Sequence, residues 1–257
     1  MTISGRTIPF STREDYREQQ FKQVWVEDLD DVFADVASYY DRANYVASLG
    51  LWGWFRNRFI SNIDVQSGQK VLDVCAGTNA IGIALLKKQP HLQIHAMDRS
   101  KAMQAVGQES ARKLGMHIDS TIGDVHTLPF PDNHFNVVTM QYASRHLRIM
   151  DVSGEIHRVL TPGGHFYHCD MLRPANKIVE WNYYAYLRFC LNFTAFLFRS
   201  SDIANGSKEY FINALRMFYS ADELSDLFRD VGFEDVSSQT LLGGIIGFHR
   251  SMKPLDT

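Results

Sequence analysis

Cysteine is scarce in this chain. Its 257 residues hold three, Cys75, Cys169 and Cys190, with no Cys-x-x-Cys pair and no Cys/His spacing of the metal-ligand kind. A metal centre is therefore not expected, and the thiols suit a reducing compartment where they pack as buried groups. No long basic run occurs and the net charge is −3, which argues against a nucleic-acid partner. No stretch of eighteen apolar residues is free of charge, so no transmembrane helix is expected. The polar, charged first residues exclude a secretory signal. The localisation these absences support is cytoplasmic, with peripheral contact at the inner face of the membrane left open. Internal repeats and low-complexity tracts are absent too.

Apolar residues make up 45% of the chain, enough for one large domain with a cap. Its centre is Lys70–Asn79. Val71-Leu72-Asp73-Val74 is an apolar run holding one acid, followed by Cys75-Ala76-Gly77-Thr78-Asn79 and the apolar segment Ala80 to Leu86. This pattern predicts a buried strand, a tight turn and a helix, the element that binds nucleotide-like ligands. Ala76 and Gly77 carry almost no side chain, so a ligand can approach the backbone. A second strand, Leu92–Met97, ends in Asp98, whose carboxylate can accept both hydroxyl protons of a ribose diol. Only Gly77 of the three spaced glycines of a dinucleotide site lies in the turn, so a pyrophosphate lacks its cradle. A ligand with a ribose and no phosphate fits better, and S-adenosyl-L-methionine is one.

Residues before Val26 read as an extended arm with a short helix. Helical periodicity follows from Val26 to Phe59, including a segment Leu51–Ile60, and these helices can cap the carboxyl end of the first strand. Beyond Asp98, Ser100 caps a helix through Leu114, and Ile118–Ile122 is a third strand followed by Asp124, suited to accept from an adenine amino group. Phe135–Gln141 is a fourth strand, and the loop Tyr142–Arg148 leaves the sheet where open α/β sheets bind ligands. A helix Val152–Leu160, a Thr161-Pro-Gly-Gly turn and strand Gly164–Asp170 come next. Ala175–Arg199 then breaks the alternation, with eleven aromatic and leucine residues crowded between Trp181 and Phe198. Such a helix is a cap core, a greasy substrate channel or a membrane-surface contact. Ser207–Tyr219 is a further helix. Ser220 and Glu223 form a capping box for the next one, which ends near Gly232, and strands Phe233–Ser238 and Leu242–His249 close the sheet as a hairpin.

Taken together, the motifs resemble the class I S-adenosylmethionine-dependent C-methyltransferases of ubiquinone and menaquinone biosynthesis, the UbiE type. The resemblance runs from about Asp31 to Pro254. Its pieces are Val32-Phe-Ala-Asp-Val-Ala-Ser-Tyr-Tyr-Asp, Val71-Leu-Asp-Val-Cys-Ala-Gly-Thr, Leu128-Pro-Phe-Pro-Asp-Asn-His-Phe, Arg158-Val-Leu-Thr-Pro-Gly-Gly, Ala221-Asp-Glu-Leu, Val231-Gly-Phe and Gly243-Gly-Ile-Ile-Gly-Phe-His-Arg. It implies an α/β, Rossmann-like fold: a seven-stranded, mostly parallel sheet with helices on both faces, an antiparallel hairpin at the end, and an N-terminal and inserted helical cap. Residues 1–62 are then arm and cap, and 63–257 the cofactor-binding domain with a cap insertion at about 175–219. It also implies cofactor contacts at Gly77, Thr78, Asp98, Asp124, Val125 and Gln141; Asp73, Ala76 and Arg99 complete the candidate set. Three departures stand out. Asn79 replaces a second glycine, Gln141 a serine, and Tyr142–His146 the usual Phe-Gly-Leu-Arg-Asn, keeping only the aromatic and Arg145.

C-methylation of a hydroxylated ring needs the ring oxygen's negative charge stabilised and a proton accepted. Arg145 is the candidate for the first role, with His146 or His249 for the second, and Tyr40 and Asp41 orienting the ring from the cap. The acceptor expected is a lipophilic quinol. The altered loop keeps a soluble secondary metabolite open as acceptor, and Asn79 and Gln141 keep open a non-catalytic cofactor-binding or interaction protein. A homodimer is a further expectation.

Overall fold

The computed structural model describes residues 2–3, 6–198 and 208–255. Its main sheet has seven strands: β1 Lys70–Val74, β2 Gln93–Asp98, β3 Asp119–Ile122, β4 Phe135–Gln141, β5 Leu160–Met171, β6 Glu234–Leu241 and β7 Ile246–Met252. They lie in the order β3-β2-β1-β4-β5-β7-β6. The neighbours from β3 to β5 are parallel, and β7 runs antiparallel to both β5 and β6. The chain winds outward from β1 to β3 and then returns to β4 on the other side of β1. Loops leaving β1 and β4 therefore diverge, and a crevice opens between them.

Alternation along the strands divides the core between two faces. Leu72, Val74, Val138 and Met140 pack with α7 (Ile149–Val159) and α10 (Ala221–Val231). Val71, Val137, Tyr167 and Cys169 pack with α4 (Trp52–Ser61) and α5 (Ala80–Lys88). The expected caps are present: Ser100 Oγ accepts from Met103 N at the start of α6 (Lys101–Lys113), and Ser220 with Glu223 forms the capping box of α10. Cys169 and Cys190 are buried and Cys75 half-buried. Some boundaries move. Helix α7 begins at Ile149 rather than Val152. Strand β7 begins at Ile246 rather than Leu242, because Leu242 and Gly243 take φ of 53° and 68° and close a tight turn.

The N-terminal segment is more helical than the extended arm with a short helix that the sequence suggests. It is a fourteen-residue helix, α1, Phe10–Gln23. Its polarity hides its length, because its inward face carries charge. Arg17 and Glu14 are both buried and paired at 2.5 Å. Arg17 also donates to the carbonyls of Arg145 (2.8 Å) and Leu147 (3.3 Å), and the Tyr219 hydroxyl donates to Glu14 (2.8 Å). A π-helical turn, Val24–Asp28, leads into α2 (Leu29–Val36) and α3 (Tyr40–Ala47). The aromatic helix α8, Lys177–Phe198, lies against α3, where Tyr186 Oη donates to the Ala47 carbonyl at 2.5 Å, and against α9, Lys208–Arg216. Arg199 and Ser207, expected at the ends of these two helices, fall outside the described residues. Among the described residues, no helix is long and apolar enough to cross a membrane.

Candidate active site

The turn after β1 alternates left-handed residues: Cys75, Gly77 and Asn79 have φ of 53°, 53° and 58°. Gly77 adopts this conformation without penalty and Asn tolerates it better than most side chains. Asn79 therefore keeps the backbone path that a glycine would give. Its side chain is fully buried and turns into α6, where Oδ1 accepts from Gln104 Nε2 at 2.8 Å. Helix α6 comes so close that a Cβ on Gly107 would stand 2.7 Å from Asn79 Cγ and 2.8 Å from the Thr78 carbonyl carbon. The asparagine thus does not enter the crevice.

Asp98 closes the turn from the tip of β2. One carboxylate oxygen accepts from Gly77 N and the other from Ser100 N, both at 2.8 Å. Each retains a lone pair for a ligand hydroxyl. Burial pushes its pKa up, with the two backbone N–H groups opposing the shift. Asp73 is 1% exposed; one oxygen accepts from Thr139 Oγ1 at 2.7 Å and the other, Oδ2, has no partner. Burial pushes its pKa up to about 7, against the Thr139 hydrogen bond. Asp124 opposes burial by accepting from the backbone N and ring Nδ1 of His126, and its pKa is lowered.

A cleft of about 440 Å³ runs over these strand ends, a size that suits a small molecule. All nine candidate cofactor residues line it: Asp73, Ala76, Gly77, Thr78, Asp98, Arg99, Asp124, Val125 and Gln141. An acid with free lone pairs, a backbone turn without side chains and an unpartnered buried carboxylate oxygen fit a ribose and a cationic amino-acid end.

Of the catalytic candidates, Tyr40, Asp41 and His146 line the cleft. Asp41 Oδ2 accepts from Thr78 Oγ1 at 3.1 Å, which ties the cap to the turn. Arg145 and His249 do not line it. The turn Ser144–His146 directs Arg145 behind the wall, where it pairs with Asp170 at 2.5 Å and donates to the Tyr142 carbonyl. His249 faces α10 instead. Its Nδ1 meets His168 Nδ1 at 3.2 Å and its Nε2 donates to the Ala221 carbonyl, while burial lowers its pKa to about 4. His249 is therefore withdrawn as proton acceptor, and direct contact by Arg145 is withdrawn too.

Tertiary packing adds neighbours to the site. Trp52 stacks on Tyr142 with ring centroids 4.8 Å apart, and Phe33, Tyr40 and Trp25 continue this aromatic wall. Arg99 pairs with Asp30 at 2.7 Å and donates to the Trp25 carbonyl, which draws the π-helical turn over the tip of β2.

A nucleoside-type crevice at the switch point of this sheet, joined to an aromatic chamber, defines a methyltransferase of the Rossmann-like class, with S-adenosylmethionine as cofactor. The chain belongs to the ubiE/COQ5 methyltransferase family, whose model matches residues 18–253. It is 33% identical to the demethylmenaquinone methyltransferase of Anoxybacillus flavithermus, over 87% of this chain and 94% of that one. It is 30% identical to the ubiquinone/menaquinone biosynthesis C-methyltransferase UbiE of Cereibacter sphaeroides, over 86% and 89%. Among solved structures, phosphoethanolamine N-methyltransferase 2 of Haemonchus contortus, in complex with S-adenosyl-L-methionine, shares the fold. Its TM-score is 0.60 at 14% identity, over 98% of this chain and 61% of that one.

Proposed function

We propose that the chain methylates a ring carbon of a lipophilic, hydroxylated aromatic acceptor, a demethylmenaquinol or related quinol. The observation that carries this reading is the continuity of the cleft: the Asp98 crevice opens directly onto a wall of Phe33, Tyr40, Trp52 and Tyr142. A planar ring held there by edge and face contacts lies beside the methyl donor. The names of the two relatives above point to the same substrate class.

S-adenosylmethionine supplies a methyl group carried on a sulfonium. Asp98 accepts the ribose hydroxyls, the Gly77 turn admits the amino-acid end, Asp73 offers its unpartnered oxygen to positive charge, and Asp124 accepts from the adenine amino group. Tyr40 and Asp41 orient the acceptor. Arg145 acts through its neighbours: burial raises the Tyr40 phenol, and the Arg145 charge opposes that shift.

The lipid tail of such an acceptor calls for a membrane contact, and α8 carries an exposed apolar face suited to it. Ile178, Trp181, Phe189, Phe193 and Phe196 recur at helical steps and stand out in solvent, Trp181 at 71% and Phe196 at 83% exposure. This face is proposed to rest on the bilayer. Flotation with anionic vesicles should carry the protein upward, and Trp181→Glu with Phe189→Glu should release it. Concentration-dependent dimerisation without flotation would instead assign the face to a second copy. The central test is transfer of labelled methyl to a panel of demethylquinols and water-soluble phenols. Preference for long-tailed quinols is expected, and methylation of soluble phenols alone would refute the lipophilic acceptor.

A further inference from the structure

His146 is 5% exposed and lines the cleft, yet only one of its ring nitrogens has a partner. Nδ1 lies 2.6 Å from the Tyr210 hydroxyl, and Nε2 has none. The same hydroxyl lies 2.8 Å from Trp25 Nε1. Indole nitrogen can only donate, so Trp25 occupies a lone pair on Tyr210 Oη. The phenolic hydrogen must then find an acceptor, and among the described residues His146 Nδ1 is the one within reach. The reverse order, with Nδ1–H donating to Oη, leaves the buried hydroxyl hydrogen without an acceptor and is disfavoured. Burial, with the charges of Arg145 and Arg17, holds the His146 pKa well below its ordinary value, so the ring is neutral. Phe211 and Phe33 meet it edge-on, with centroids 5.5 and 6.2 Å away, and hold its plane.

We propose that Trp25 and Tyr210 are positioning residues that fix His146 as its Nε2–H tautomer, so that His146 donates a hydrogen bond from Nε2 to a hydroxyl-derived oxygen of the methyl acceptor. This rests on reading the aromatic chamber as the acceptor site. It replaces the proton-acceptor role that the sequence suggested for His146, because a neutral ring with hydrogen on Nε2 and the Tyr210 hydroxyl on Nδ1 has no free basic nitrogen. A fixed donor at an oxygen that has lost its proton holds the acceptor as its anion, the form whose ring carbon attacks the methyl group. It also selects acceptors that carry an oxygen next to the methylated carbon.

Nitrogen-15 NMR of histidine-labelled wild-type protein tests the tautomer without turnover. A pyridine-type shift at Nδ1 and a pyrrole-type shift at Nε2 are expected for His146, assigned by its loss in His146→Gln. The opposite pattern would overturn the proposal. In Tyr210→Phe the two shifts should move toward an averaged value. There kcat should drop by about tenfold or more while the KM for S-adenosylmethionine stays nearly constant. His146→Gln, which keeps an N–H donor, should recover part of the activity lost in His146→Leu. Unchanged kcat in Tyr210→Phe, or equal activity of the Gln and Leu variants, would refute it. If no aromatic acceptor is methylated, the acceptor reading fails while the wild-type spectrum still decides the tautomer.

Discussion

The two halves of the cleft are built in different ways. The cofactor half is centred on one βαβ unit: the Cys75–Asn79 turn, the tip of β2 and the start of α6 hold each other through Asp98, Gln104 and Gly107, with Asp124, Val125 and Gln141 added from the ends of the next two strands. The acceptor half is assembled from distant pieces. Arg17 reaches the carbonyls after β4, Trp52 stacks on Tyr142, and Trp25 bonds Tyr210 across 185 residues. Short-range closure makes the first half a shared module, and long-range assembly lets the second differ with the substrate. The difference is also energetic, because the acceptor half depends on a buried ion pair and the cofactor half on backbone geometry.

Substitutions can separate the halves. The largest effect is expected for Arg17→Met, which strands the buried Glu14 carboxylate and should cost about 3–5 kcal/mol in denaturant unfolding. Acceptor turnover should collapse while donor affinity changes far less. Equal loss of both would show that the halves are one unit. Asp98→Ala should weaken S-adenosylmethionine binding roughly a hundredfold by calorimetry, since charge-assisted hydrogen bonds to two hydroxyls are lost. Affinity close to wild type would break the assignment of the crevice. Gly107→Ala drives a methyl into Asn79 and the Thr78 backbone, for about 1–3 kcal/mol and a lower Tm.

The smallest effect concerns protons. Folding raises the Asp73 pKa from 3.8 to about 7. Between those values the folded state binds more protons than the unfolded one, so stability falls as pH rises through this window and levels off above it. The slope contributed is at most about 1.4 kcal/mol per pH unit. Donor binding should strengthen over the same window as Asp73 ionises opposite positive charge. Asp73→Asn should remove both slopes in melts and titrations across pH 4 to 8; retained slopes would assign them to another group.

Legibility follows the same division. The β1 turn, the acid ending β2, the capping box at Ser220 and the closing hairpin could be read because their determinants lie within a few residues. Asn79 was readable as a tolerated left-handed residue, though where its side chain goes depends on Gly107, from another helix. The length and burial of helix α1 are hidden because Glu14 and Arg17 look like a solvated face until their partners are known. His249 lies in mid-strand opposite His168 and packs under α10, away from the strand ends that carry the cleft, and a motif does not show that position.

By itself the sequence determined the sheet, the donor crevice and the family, since local backbone preferences and hydrophobic periodicity act along the chain. Tertiary structure alone decided which polar groups face the acceptor. It withdrew Arg145 and His249 from the cleft, brought Trp25 and Tyr210 behind His146, and set that ring's hydrogen. Hydrogen-bond direction and burial are properties of neighbours in space, and those neighbours here stand more than a hundred residues apart.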